Sequence, residues 1–313
     1  MCGLHGLLST RTFGVIIMTI LYIILAVILW ASSFVGIRAA IIEFSPTEIA
    51  VLRFIVSSIA LLLITVSQKT LLPDKRDFLL FIPLGLILFI NHISLNYGTK
   101  TITAGETTLI VSTSQLFQVL LAYLFLKEVI SGRFLLGLFL CFFGVTIIAF
   151  QKSIGMSFNT GVVFVLIAAI TNAAFFIMQK PLLTKFSPLE IVSFSTWIAT
   201  LLLLPLGGNI IERLSSAKLS STFSVIYIGI AAVIANICWS NVLSKMEASK
   251  AAIFLYTVPV MTIIIGFIWL QEFPSALSCI GGAIILGGVI LSNSKLAGTE
   301  QFAHAERKKP KNP

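Results

Sequence analysis

The residues best placed for chemistry in this 313-residue chain are aromatic and amide side chains that recur at helical spacing. Trp30, Phe34 and Arg38 follow at i, i+4 and i+8, and Asn172, Phe176 and Lys180 repeat the pattern. Each set is one stripe of a helix that ends in a cation. His92 and Asn96 share a face in the same way, as do Ser112 with Gln115 and Asn236 with Trp239. Tyr256 stands three residues before Pro259, whose missing N–H and ring bulk kink a helix and free a carbonyl. A gating aromatic and a packing aromatic both fit that position. Together these groups suit non-covalent binding of a neutral or zwitterionic solute, with rings for an apolar portion, amides for hydrogen bonds and Arg38 and Lys180 at the mouths. A sugar phosphate would find only Arg38, Lys180 and Arg53 to neutralise it, and Arg53 is expected to pair with Glu48 or Glu43.

Other chemistry finds little support. No G-x-x-x-x-G-K-[ST] run occurs, so no phosphate-cradling loop implies nucleotide hydrolysis by this chain. Asp74-Lys-Arg-Asp77 has the spacing of a magnesium diphosphate site in an integral-membrane prenyl transferase. It is solitary, however, and flanks two cations, which reads as a solvated loop. His92 is the sole titratable group expected at depth, either as a hydrogen-bonded structural residue or as a proton carrier. Cys2, Cys141, Cys238 and Cys279 are too scattered for a disulfide framework. No catalytic residue, cofactor or metal site is expected, and the chain reads as a non-enzyme.

The elements that position these side chains must be membrane helices. The chain is 58% hydrophobic and 11% charged, with a mean hydropathy of +1.05, more apolar surface than a water-soluble fold can hide. A helix needs roughly 20 apolar residues to cross a bilayer, and apolar stretches fall near 15–42, 47–66, 78–97, 104–126, 133–151, 161–180, 187–206, 224–243, 250–270 and 275–294. The expected fold is an all-α polytopic membrane protein of about ten transmembrane helices. The first stretch is too long for a secretory core and reads as a span, and because Met18 opens it, translation from that methionine is a second reading of the N-terminus.

Charge and repetition order the spans. With the N-terminus inside, fifteen of the 21 Lys and Arg residues fall on the cytoplasmic side, so both termini are expected there. The net charge of +9 then reads as topology and implies no nucleic-acid partner. Phe44-Ser-Pro-Thr-Glu-Ile49 recurs as Phe186-Ser-Pro-Leu-Glu-Ile191 at an offset of 142, and at an offset of 144 Thr113 pairs with Thr257, Glu128 with Glu272, and Gly137 and Gly144 with Gly281 and Gly288. A five-span repeat has an odd number of crossings, so the second copy enters from the opposite side. The expected organisation is a cytoplasmic segment 1–14, a first repeat 15–151, an inverted second repeat 161–294 and a basic cytoplasmic tail 295–313. Two inverted halves around a central cavity are the architecture of many secondary transporters.

Trp30-Ala-Ser-Ser-Phe-Val-Gly-Ile-Arg38, Arg53-Phe54, Asn96-Tyr97-Gly98, Leu126-Lys-Glu128, Leu270-Gln-Glu272 and the Gly-rich last span carry a further likeness. Over nearly its whole length the chain resembles the drug/metabolite transporter superfamily, in particular its EamA-type ten-helix members. The resemblance implies export or exchange of amino acids, nucleotides, sugars or related metabolites, across a bacterial cytoplasmic membrane, by a monomer or homodimer. One departure is Gln115, where such proteins carry a proline and the second half keeps Pro259. It predicts a fourth span straighter than the ninth. An amino acid or nucleoside-like solute is the expected cargo. A lipid flippase and an integral-membrane enzyme are the alternatives.

Overall fold

The computed structural model describes the backbone of residues 2–68, 74–126, 132–150, 159–245, 251 and 253–293. Side chains are described for fewer, and those of residues 2–15 and of Tyr256 are among the ones left out. In chain order the helices are α1 (Cys2–Ala40), α2 (Pro46–Ser67), α3 (Lys75–Phe78), α4 (Phe81–Thr99), α5 (Ala104–Val111), α6 (Ser114–Leu126) and α7 (Gly132–Phe150). They continue as α8 (Thr160–Leu182), α9 (Pro188–Leu203), α10 (Ile210–Ser216), α11 (Leu219–Lys245), α12 (Thr257–Leu270) and α13 (Ala276–Asn293), with single 3-10 turns at Leu204–Leu206 and Ile253–Tyr256. Seven described stretches are long and apolar enough to cross a bilayer, α5 and α6 counting as one, and shorter apolar stretches occupy the fifth, ninth and tenth expected positions.

Exposure is that of a protein with lipid outside and polarity within. Leu63, Phe125 and Phe139 are 68%, 73% and 67% exposed, whereas Asn96 and Gln179 are wholly buried. In hydrocarbon the backbone must satisfy itself within each helix, and polar side chains gather inside the bundle.

Exchange of the two halves maps α1 onto α8, α2 onto α9, α4 onto α11, α5–α6 onto α12 with its preceding 3-10 turn, and α7 onto α13. The packing obeys that exchange. α1 packs on α11 as α8 packs on α4, and α2 on α11 as α9 on α4. The pairs α2–α9 and α7–α13 lie against their own equivalents. Local chemistry repeats as well. At the start of α2, Ser45 Oγ accepts from the Glu48 backbone N–H at 3.3 Å while Ser45 N–H donates to Glu48 Oε2 at 2.7 Å, and Ser187 with Glu190 repeats both distances at the start of α9. Each box satisfies two otherwise orphaned donors, and a proline follows in the first turn where its missing N–H costs nothing.

α7 and α13 cross almost backbone to backbone. A Cβ on Gly144 would stand 2.5 Å from the Gly281 carbonyl oxygen, one on Gly281 2.8 Å from that of Gly144, and one on Gly288 2.7 Å from that of Gly137. Cys141 Sγ donates to the Ile285 carbonyl at 3.1 Å in the same seam. Such small-residue faces permit the close approach that packs helices in lipid.

The fourth span corrects one expectation. It is not straighter than the ninth: α5 ends and α6 begins around a turn at Ser112 and Thr113, the repeat equivalent of the 3-10 turn that opens the ninth span. Hydroxyls stand at this break where the ninth span has a proline close by. Ser112 Oγ donates to the Leu109 carbonyl at 2.6 Å and Thr113 Oγ1 to that of Ile110 at 2.8 Å, which competes with the helical ladder.

The described ion pairs join connections expected to share a face. Arg213 reaches Glu48 at 3.7 Å, Lys218 reaches Glu43 at 3.5 Å and Arg38 reaches Glu272 at 2.9 Å on one side, and Lys185 pairs with Asp77 on the other. Asp77 of the Asp-x-x-Asp run is thus held by a lysine in a loop.

Candidate functional site

Between the halves lies a cavity of about 110 Å³, many times the roughly 10–15 Å³ that a single water needs on that scale. One face of each surrounding helix builds it. Trp30, Ser33, Phe34 and Ile37 come from α1, and Leu88, Asn91, His92 and Leu95 from α4, each set at i, i+3, i+4 and i+7. α8 adds Asn172, Phe175 and Phe176, α11 adds Asn236 and α2 adds Arg53. The two broken spans face each other across the space, with Ser112, Ser114 and Gln115 on one and Leu255, Val258 and Pro259 on the other.

Of the side chains singled out from sequence, Trp30, Phe34, His92, Ser112, Gln115, Asn172, Phe176 and Asn236 lie on this wall. Asn96 and Trp239 lie off it. Asn96 points away from the cavity wall, donating from Nδ2 to the Pro46 carbonyl at 3.0 Å and tying α4 to the start of α2. Trp239, 2% exposed, backs the wall: its ring meets Trp30 edge-on at 5.4 Å and Phe176 at 6.1 Å, and Trp30 and Phe176 are themselves 6.1 Å apart. The three rings form one aromatic partition built by both halves. The Tyr256 side chain lies outside the described residues. Lys180, near the end of α8, is absent from the wall and half-buried.

Arg38 is a tie between halves. Its Nε donates to Glu272 Oε1 at 2.9 Å and its Nη1 to the carbonyls of Thr99 and Lys100 at 3.2 and 3.3 Å, so the ends of α1 and α4 and the connection after α12 are held together.

The Arg53 expectation is overturned. Glu48 and Glu43 are bound to Arg213 and Lys218 of the second half, and Arg53 instead lines the cavity, 4% exposed. The sequence did carry a signal, a lone charge well inside an apolar span. What it lacked was the identity of the cations that take both glutamates. Asn91 and Ser33 were likewise missed, although i+3 from Leu88 and Trp30 would have found them. Asn91 Nδ2 donates to the Ala168 carbonyl at 2.8 Å and Thr171 Oγ1 at 3.2 Å, fixing α4 to α8.

Several wall groups have hydrogen-bonding capacity left over. Among the described residues Asn172 and Asn236 make no side-chain hydrogen bond, and His92 Nδ1 is buried without a partner while its ring lies edge-on to Phe54 at 4.9 Å. An apolar wall with a few convergent polar groups is the usual form of a small-molecule site.

Residues 17–150 and 159–294 each match the EamA-like transporter family. A Bacillus subtilis protein named as the uncharacterized transporter YdfC is 34% identical over 270 residues, 86% of this chain and 88% of its own length. A protein of Streptantibioticus cattleyicolor, named as a probable terminal-alkyne amino-acid exporter, is 28% identical over 283 residues, 90% of this chain and 95% of its own. A crystal structure with 16% identity shares the fold at a TM-score of 0.62, covering 90% of this chain and 98% of that one. With both repeats matched, the chain belongs to the EamA-like transporter family and is an integral membrane transporter of small-molecule solutes.

Proposed function

We propose that this transporter exports or exchanges an amino acid or a nucleoside-like solute across a bacterial cytoplasmic membrane by alternating access. The observation that carries the reading is the cavity wall shared by the halves, with Trp30 and Phe34 supplied by the first and Asn172 and Phe176 by the second. A solute held between two inverted half-structures is released to either side when they exchange conformations. Residues 15–151 and 161–294 are the two moving repeats, residues 1–14 and 295–313 are cytoplasmic, and the unit in the bilayer is a monomer or homodimer. Transport is secondary, as facilitated exchange or downhill export. The name of the Streptantibioticus cattleyicolor relative favours the amino-acid class.

Counterflow in proteoliposomes tests this, with pooled labelled amino acids, nucleosides and cationic drugs. Saturable exchange of an amino-acid or nucleoside class is expected, reduced at least about tenfold by Trp30→Ala and by Asn172→Ala, since one lost ring or charge-assisted contact is worth on the order of 1.5–3 kcal/mol. Exchange untouched by both substitutions would place the solute elsewhere.

A further inference from the structure

Among the described residues Arg53 is the one charged side chain on the cavity wall, and there it makes neither an ion pair nor a hydrogen bond. The nearby acids are committed elsewhere. Glu48 holds Arg213 and the Ser45 N–H, Glu43 holds Lys218, and Glu272 holds Arg38. Buried Glu106 accepts from Ser278 Oγ at 2.6 Å and from the Thr103 N–H at 2.9 Å. Among the described residues no carboxylate faces the cavity.

A guanidinium does not shed its charge by deprotonation, and burying one without an anion is costly. Such an arrangement is retained where the anion arrives with a ligand. The planar fork of donors matches a carboxylate bidentately. A single positive charge balances a monoanion, whereas a dianionic phosphate would keep excess charge in a cavity whose described wall holds no second cation. Trp30 and Phe176 line the same wall, where an ammonium or an apolar side chain can pack against their rings, and among the described residues the Asn172 and Asn236 amides make no hydrogen bond. Arginine, rings and amides together describe a zwitterion better than an uncharged nucleoside.

We propose that Arg53 is the carboxylate receptor of this transporter and that its solute is a monocarboxylate of the amino-acid class. The proposal rests on the cavity being the transport site and narrows the solute that it takes.

The full chain tests it in two ways. The first needs no solute: thermal melting of the purified protein in detergent, wild type against Arg53→Met. Removing an unpaired buried charge is expected to leave the melting temperature unchanged or raise it by a few degrees, and a fall of several degrees would make Arg53 a structural residue and overturn the proposal. The second is proteoliposome counterflow with a pool of the twenty amino acids, the matching pool of amino-acid amides, and uridine. Wild type is expected to carry the acids at least about tenfold faster than the amides, the scale of one hydrogen-bonded charge. That ratio should collapse towards one in Arg53→Met and recover in part in Arg53→Lys. An unchanged ratio in Arg53→Met, or uridine carried in preference to the acids, refutes the carboxylate receptor while leaving the carrier reading intact. Absence of counterflow with every probe removes the carrier reading for these classes and the proposal with it.

Discussion

At the scale of single residues, the two arginines of the first half do opposite things. Arg38 is held by a carboxylate and two carbonyls, and Arg53 has no partner among the described residues. Arg38 and Glu272 are each 27% exposed, so their attraction is partly screened by solvent. A double-mutant cycle with Arg38→Ala and Glu272→Ala should therefore give a coupling of about 0.5–1 kcal/mol in stability, read from melting of the detergent-solubilised protein. A coupling near zero would reduce the tie to a fortuitous contact. Sequence alone led to both residues by different routes and misread each in part. Period-four stripes found Trp30, Phe34, Asn172 and Phe176 because helical spacing records which side chains share a face. Spacing cannot record partners on other helices. It therefore could not show that Asn96 is taken up by the Pro46 carbonyl, or that Glu43 and Glu48 are claimed across the bundle, which leaves Arg53 to the cavity.

Elements were more legible than contacts. Two serine capping boxes with a following proline, 142 residues apart, mark equivalent helix starts in the chain and are equivalent helix starts in the fold. The break in the fourth span was hidden because proline is only one way to interrupt a helix. At this one, hydroxyls bond back to Leu109 and Ile110 and no proline is present. The glycines of α7 and α13 also act at this scale, because they set the distance between two helices. Gly281→Leu should force that crossing apart and cost about 1–3 kcal/mol, the usual cost of overpacking, lowering the melting temperature. Gly287→Leu, at an exposed position where an added Cβ meets nothing within 4 Å, should change it little. Equal effects of the two substitutions would mean that the close approach is not where the stability lies.

For the whole molecule, the internal repeat in the sequence becomes a symmetry of the packing. α1 on α11 is the counterpart of α8 on α4, and the cavity lies where α1, α2, α4, α8, α11 and the two broken spans converge. That convergence was foreseeable from an odd-numbered repeat. Its lining was only partly so, since Arg53 of α2 and Asn91 of α4 reach the wall without belonging to the stripes that spacing picked out. The central claim is that this cavity is reached from both sides of the membrane in turn. The direct measurement is impermeant maleimide labelling of Asn172→Cys, in protein whose native cysteines are replaced by alanine, applied to right-side-out and to inside-out vesicles. The account predicts modification from each side, with saturating solute protecting against both. Modification from one side only, under every condition of solute, would contradict it.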